Sequence, residues 1–413
     1  MKIDYRGITL SNGLRVLVHT DPNTALVAFN LLYKVGAKDE DPQKTGFAHL
    51  FEHLMFSGSK HVKDYDEALD EVGGTSNAFT NNDFTDFYIS LPKEVVETAF
   101  FVESDRMQNL TLSQKKLDVQ KGVVIEEFKE RCLNQPYGDT DMLLRPLSYL
   151  THPYAWSTLG KEIAHIEAVT LQDVKTFYNT FYMPDNAILS VSGPVEPEEM
   201  FALAEKWFGN IPRGGRMQNP LPAEPVQREA RRRTVERKVP SNAFYRTYHM
   251  GPRMSHDFYV FDLLSDLLSN GDSSRFYTRL VKERKLFSSL NAYVSGDMEP
   301  GLFLISGIME DGVDFERAEK AVEEELAKLG EEAVSGKELQ KVKNKLETSL
   351  LFSNMKGLDK AMNLGYFEMM KSADVLSHEV EAYGAVTVDD IRKAARETFV
   401  SANSNTLYYK AIT

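Results

Sequence analysis

A single cysteine, Cys132, stands among the 413 residues. One thiol cannot close an intrachain disulfide, and it excludes a thiolate zinc cluster as well. Its expected role is that of a small buried apolar residue, not a nucleophile. No run approaches the roughly 18 consecutive apolar residues that a bilayer-spanning helix needs, so no membrane partner is expected. Positive charge is also short: 48 Lys and Arg stand against 61 Asp and Glu, for a formal net charge of -13. So acidic a chain repels phosphate backbones and anionic lipid, which argues against nucleic acid as a partner. Peptides are not excluded, and basic ones are mildly favoured. The opening residues, Met1-Lys2-Ile3-Asp4-Tyr5-Arg6-Gly7, lack the apolar stretch of a secretory leader. The expectation is a cytoplasmic protein, or a periplasmic one if a leader preceded them.

The chain is too long for one ordinary domain of about 100–200 residues. Gly13 to His19 and Ala25 to Val35 read as strands rich in Val, Leu and Phe, as do Phe84–Leu91 and Ala187–Gly193. Helical periodicity marks Thr45–Phe56, Asp64–Val72, Lys93–Asn109, Ser113–Asn134 and Leu171–Phe181. The pattern predicts an α+β fold with mostly antiparallel sheets packed by helices. Between Ile211 and Ser241 prolines and arginines replace periodicity, which reads as a linker that could end in an edge strand. Its Arg231-Arg232-Arg233 run is expected to be a solvated face.

Beyond the linker the sequence echoes itself. Val169-Thr170-Leu171-Gln172-Asp173-Val174 returns as Val386-Thr387-Val388-Asp389-Asp390-Ile391, each before a helix, an Asn-containing turn and a strand. Strand Phe244–Met250 followed by helix Phe258–Leu268 mirrors strand Phe29–Val35 and the helix after it. Such self-similarity predicts two homologous domains of about 200 residues each. The expected boundaries are 1–211, a linker at 212–240, and 241–413.

The most informative segment is His49-Leu50-Phe51-Glu52-His53. On a helix, residues three and four apart share a face, with Cβ atoms about 5–6 Å apart. Two imidazoles can then converge on one metal ion while Glu52 reaches a metal-bound water as general base. Phe47, Leu50, Phe51, Leu54 and Met55 supply an apolar face to anchor the helix. Two histidines on one helix are often just satisfied polar residues. With nine histidines in the chain, however, chance gives the five-residue pattern on the order of one time in a hundred. A third ligand is needed, and Glu126 and Glu127 are the candidates. Gln120, Val123, Val124 and Glu127 form one stripe, which favours Glu127 as the inward carboxylate and leaves Glu126 open. The second half has no such motif, so one Zn2+ per chain is expected.

At this point the chain resembles the inverted zincins, the family of pitrilysin, insulin-degrading enzyme and mitochondrial processing peptidase, in its short two-domain form. Thr45–Ser59 is similar to the family's His-x-x-Glu-His helix. Val72-Gly73-Gly74-Thr75-Ser76-Asn77-Ala78-Phe79-Thr80 is similar to its substrate-pairing edge strand. Thr151-His152-Pro153-Tyr154, Phe181-Tyr182-Met183-Pro184-Asp185-Asn186 and Gly271-Asp272-Ser273-Ser274-Arg275-Phe276 extend the likeness across nearly the whole chain. The resemblance implies His49, His53 and Glu127 as zinc ligands, Glu52 as catalytic base, and Asn77, Ala78 and Phe79 as substrate contacts. It makes His152 structural. The implied function is a zinc metalloendopeptidase acting on extended peptides.

Two departures stand out. Gln120 occupies a position where members often carry Glu, and Val281 and Ser288 stand where many active members carry an Arg and a Tyr that bind the substrate carbonyl. The resemblance therefore implies a homologous partner subunit, in a heterodimer or a homodimer, that closes a chamber and supplies the missing groups. The alternative is a scaffold subunit with little or no activity.

Overall fold

A computed structural model describes residues 3–215 and 220–412. The chain forms two compact units. One comprises Met1–Phe128, Trp156–Leu221 and Leu350–His378, and the other Lys129–Ala155, Pro222–Ser349 and Glu379–Thr413.

The first unit is built on six strands: β1 (Arg6–Thr9), β2 (Arg15–Thr20), β3 (Leu26–Tyr33), β4 (Thr75–Thr80), β5 (Thr85–Pro92) and β6 (Ala187–Gly193). Their order across the sheet is β1-β2-β6-β3-β5-β4. Every neighbouring pair is antiparallel except β2 with β6, which run parallel. Strand β3 is buried on both faces after its first residue. Its period of two divides it accordingly. Phe29, Leu31 and Tyr33 join the main apolar core with Phe87, Ile89, Leu189 and Val191. Helices Phe47–Met55, Val96–Asn109, Leu171–Phe181 and Pro197–Phe208 contribute their apolar stripes to the same core.

The other face of this sheet carries Asn30, Asp86, Ser190 and Ser192, all buried. It is covered by helix Gly357–Met370, which comes from the far end of the sequence. Leu364 and Phe367 pack there on Leu17 and Ile188. Gly365 permits the close approach, since a Cβ at that position would lie 2.9 Å from Ser190 Oγ.

The second unit repeats the plan. Strands β7 (Arg231–Arg237), β8 (Ala243–His249), β9 (Phe287–Val294), β10 (Leu302–Met309) and β11 (Ser404–Ala411) lie in the order β7-β11-β8-β10-β9. Only β7 and β11 are parallel. Strand for strand this is β2-β6-β3-β5-β4 again. The repeated Val-Thr segments have one local reason: Thr170 and Thr387 each cap a helix and exchange hydrogen bonds with Asp173 and Asp390 in a capping box. One face of the second sheet takes Leu143 and Leu144 of helix Thr140–Ser148, which pack with Val235, Ala243, Leu407 and Tyr409.

Several expectations need adjusting. Segment 212–240 does end in an edge strand: Arg231–Arg237 forms β7 at the margin of its sheet, held by parallel pairing to β11, so the linker proper is shorter than 212–240. The expected helix Ser113–Asn134 is α-helical over Gln114–Phe128 and then widens into a π-helical turn, Lys129–Leu133. The compact units exchange 129–155 and 350–378 relative to a division at the linker. Periodicity reveals that a helix has an apolar stripe, but not which sheet the stripe covers. Part of the expected linker, 216–219, lies outside the described residues.

Candidate metal centre

The histidine helix, Phe47–Met55, is short and held by its apolar side. Phe51 is fully buried, with its ring 4.3 Å from that of Tyr182 and 5.4 Å from that of Phe177. Burying a ring of this kind is worth several kcal/mol, and truncating it to Ala typically costs about 3–5 kcal/mol. The polar side presents His49, Glu52 and His53. His49 is buried, and the other two are half-buried.

Helix Gln114–Phe128 packs against the histidine helix and buries Leu117, Val124 and Phe128. It delivers Glu127, half-buried, with Oε2 3.6 Å from His49 Nε2 and 3.3 Å from His53 Nε2. The imidazole rings stand 4.8 Å apart at 85°. All three potential ligand atoms lie within 4.8 Å of one another. Around a tetrahedral zinc with bonds of about 2.0–2.2 Å, donor atoms are about 3.3–3.6 Å apart. The three side chains suit such an ion in number and type, and both Glu127 distances fall in that range. Among the described residues, no other group of three or more His, Cys, Asp or Glu is so placed.

The stripe on the glutamate helix is less regular than its sequence suggests. Glu126 is exposed and Gln120 half-buried, but Val123 is exposed, not inward. Val119 is exposed one turn earlier, so two valines stand among the polar and charged residues on the outer surface of this helix.

Glu52 is fixed by a residue that the motif does not contain. Thr80 Oγ1 donates to Glu52 Oε2 at 2.6 Å and lies 3.3 Å from Thr85 Oγ1, which in turn donates to the Val35 carbonyl. Thr80 is the last residue of β4, the outermost strand of its sheet, which among the described residues pairs only with β5. Asn77, Ala78 and Phe79 therefore lie on the same strand as the group that holds Glu52. They do not share a face. Ala78 packs toward the main core, Asn77 is exposed, and Phe79 meets Phe84 edge-on with ring centres 5.6 Å apart. Asn77 Oδ1 accepts the Ala78 N–H at 2.8 Å. Nothing in local spacing pointed to Thr80, since its partner is a helix residue far back in the chain.

In the second unit, Val281 is half-buried in a π-helical turn, Tyr277–Glu283, and Ser288 is exposed on β9. The arginines around them are engaged elsewhere: Arg275 with Glu338, Arg279 with Glu325 and Arg284 with Glu324. Helix His256–Ser269 follows β8 as the histidine helix follows β3, but it offers Asp262 and Asp266. These carboxylates accept hydrogen bonds from Tyr383 and Asn270. His152 is buried with its ring against Tyr154 and Tyr149. Cys132 is buried. No helix among the described residues is long and apolar enough to cross a membrane.

Comparison with known proteins gives concordant matches. Residues 15–147 match the family model described as "Insulinase (Peptidase family M16)", and residues 168–346 the one described as "Peptidase M16 inactive domain". The chain is 28% identical over 412 residues to zinc protease PqqE of Helicobacter pylori, covering 98% of this chain and 93% of that protein. The crystal structure of a protease from Helicobacter pylori superposes with a TM-score of 0.93 at 27% identity, covering 99% of this chain and 100% of the other. The periplasmic protease PqqL from Escherichia coli has the same fold at 19% identity, with a TM-score of 0.82. There the whole of this chain matches 49% of the larger one.

Proposed function

This chain belongs to the M16 family of peptidases, in its short two-domain bacterial form, and from that premise we propose that it is a zinc-dependent endopeptidase. His49, His53 and Glu127 hold the metal, and Glu52 is the catalytic base. The observation that carries this reading is the approach of Glu127 Oε2 to both imidazole Nε2 atoms, at 3.6 and 3.3 Å, with Glu52 on the same helix face. Zinc, when bound, supplies a Lewis acid for the scissile carbonyl and lowers the pKa of water toward about 7.

The chain's own residues do the rest. Glu52 takes a proton from the attacking water on a carboxylate oxygen and passes it to the departing amine nitrogen. Thr80 holds that carboxylate from the side, so the base does not rotate away from the ligands. An extended peptide pairs by β-addition with the outer edge of β4 at Asn77, Ala78 and Phe79, next to Thr80. Substrate alignment and base alignment thus depend on the same strand.

Val281 and Ser288 offer neither a cation nor a phenol for the substrate carbonyl. A contact of that kind is worth roughly 3 kcal/mol in the transition state, or about 100-fold in rate. The missing contribution comes from a homologous partner subunit, heterodimeric in the first reading and homodimeric in the second, which encloses the site. The match of this chain to about half of PqqL supports a two-part assembly. The competing reading is a scaffold subunit, favoured only by the same two positions.

The test is bound zinc together with peptide hydrolysis, for the native chain and Glu52→Gln, alone and with a homologous partner. Hydrolysis that Glu52→Gln abolishes while zinc is retained supports the peptidase. Zinc without hydrolysis in either setting favours the scaffold.

A further inference from the structure

The histidine helix has no cap of its own. Its N-cap is Gly46, with φ of 82° and no side chain to meet the first-turn N–H groups. The left-handed backbone and the surroundings both require glycine there, since a Cβ would lie 2.7 Å from the Leu159 carbonyl oxygen. The donors are met from outside the helix. Glu40 Oε1 accepts the Ala48 N–H at 2.8 Å, and Oε2 accepts the Gly46 N–H at 2.9 Å and the Trp156 Nε1–H at 2.9 Å. The Trp156 indole also donates to the Ala37 carbonyl at 3.1 Å, which fixes it. Glu40 is buried, at 6% exposure.

A carboxylate this far from water is costly, and burial pushes its pKa up to about 8 against the pull of the surrounding N–H groups. Simple capping by Ser, Thr or Asp in the preceding position would serve a surface helix at lower cost. What Glu40 adds is rigidity. It grips the helix at two backbone points, one on either side of Phe47, and Ala48 is the residue directly before His49. The helix has only nine residues, so the direction of its first turn sets where both imidazoles fall.

We propose that Glu40 is a positioning residue for the metal centre: through the Gly46 and Ala48 N–H groups and the Trp156 indole it locks the first turn of the histidine helix so that His49 and His53 meet Glu127. This rests on the metal-centre reading above. Glu40 acts through the helix backbone and takes no part in proton transfer. Its contribution appears in metal binding.

Glu40→Gln tests it. The amide keeps the size of the side chain but turns an NH2 group toward one of the donors. Zinc affinity, measured by chelator competition, is expected to fall about 10–100-fold, the usual effect of losing a group that orients a ligand. The visible spectrum of the Co2+-substituted protein is expected to change as the coordination is distorted. The melting temperature of the metal-free protein reports any purely structural role separately. A folded Glu40→Gln that binds zinc within about 2-fold of native, with the native Co2+ spectrum, overturns the proposal. Should Glu40→Gln fail to fold, Trp156→Phe removes one donor and leaves both helix contacts. It is expected to weaken zinc about 3-fold with an altered Co2+ spectrum, and a native-like affinity and spectrum there overturn the proposal too. If the native chain itself binds no zinc, the metal-centre reading fails first and takes this one with it.

Discussion

At the scale of residues, the site divides into what is local in sequence and what is not. His49, Glu52 and His53 are legible because a helix turns a fixed spacing into a shared face. Glu127 was legible in part, since the stripe that selected it over Glu126 included Val123, which the structure leaves exposed. Thr80 and Glu40 were illegible, because each acts through hydrogen bonds made only after strand and helix pack. Their roles are separable by mutation. Glu52→Gln is expected to lower kcat at least about 100-fold while leaving bound zinc unchanged. Thr80→Val removes the donor at 2.6 Å from Glu52 together with the 3.3 Å contact to Thr85 Oγ1. It is expected to lower kcat about 10-fold with little change in KM. Thr80→Ser should restore most of that loss, and failure of the serine to do so would mean that packing, not the hydroxyl, matters there.

At the scale of elements, β4 bears on the proposed substrate edge and the helix Gly357–Met370 on the stability of the first unit. The Ala78 N–H on β4 is met by the Asn77 side chain. Proline at 78 should therefore leave the sheet intact while blocking the edge for an incoming peptide. Ala78→Pro is expected to raise KM about 10-fold with zinc affinity unchanged, which steady-state kinetics beside metal titration would check.

Helix Gly357–Met370 is pinned to the first sheet by Lys360 Nζ, 2.5 Å from Asp21 Oδ2, with both side chains largely buried. The hydrogen bond from Lys360 holds the Asp21 carboxyl below its ordinary value of 3.8. A lowered folded pKa means that the pair's stability is present above about pH 4 and is lost as pH falls through the lowered value. Asp21→Asn leaves a buried ammonium unpaired, and urea unfolding at pH 7 should show a loss of about 3 kcal/mol that shrinks below pH 3. This helix also marks the limit of the sequence reading. Its position in the second half gave no sign that it would cover the first sheet, whose polar face of Asn30, Asp86, Ser190 and Ser192 looks like a solvent face when read strand by strand.

At the scale of the whole molecule, the repeat was legible because it rests on local signals. The Thr-Asp capping boxes recur with their strands, and the order β2-β6-β3-β5-β4 returns as β7-β11-β8-β10-β9. The exchange of 129–155 and 350–378 between compact units was not, because nothing in a stripe names its partner sheet. One unit carries the proposed metal ligands. The other carries Asp262 and Asp266 on the corresponding helix, and Val281 and Ser288 where a carbonyl-binding pair would stand. On this account a homologous subunit that brings such a pair raises kcat/KM about 100-fold over the chain alone. Equal rates with and without it would show that this chain needs no partner.

The proposed chemistry depends on His49, His53 and Glu127 holding zinc, and elemental analysis of the native protein beside His53→Ala decides it. One zinc per native chain and none in the variant is expected. A native chain free of zinc, or a variant that keeps it, rules the site out.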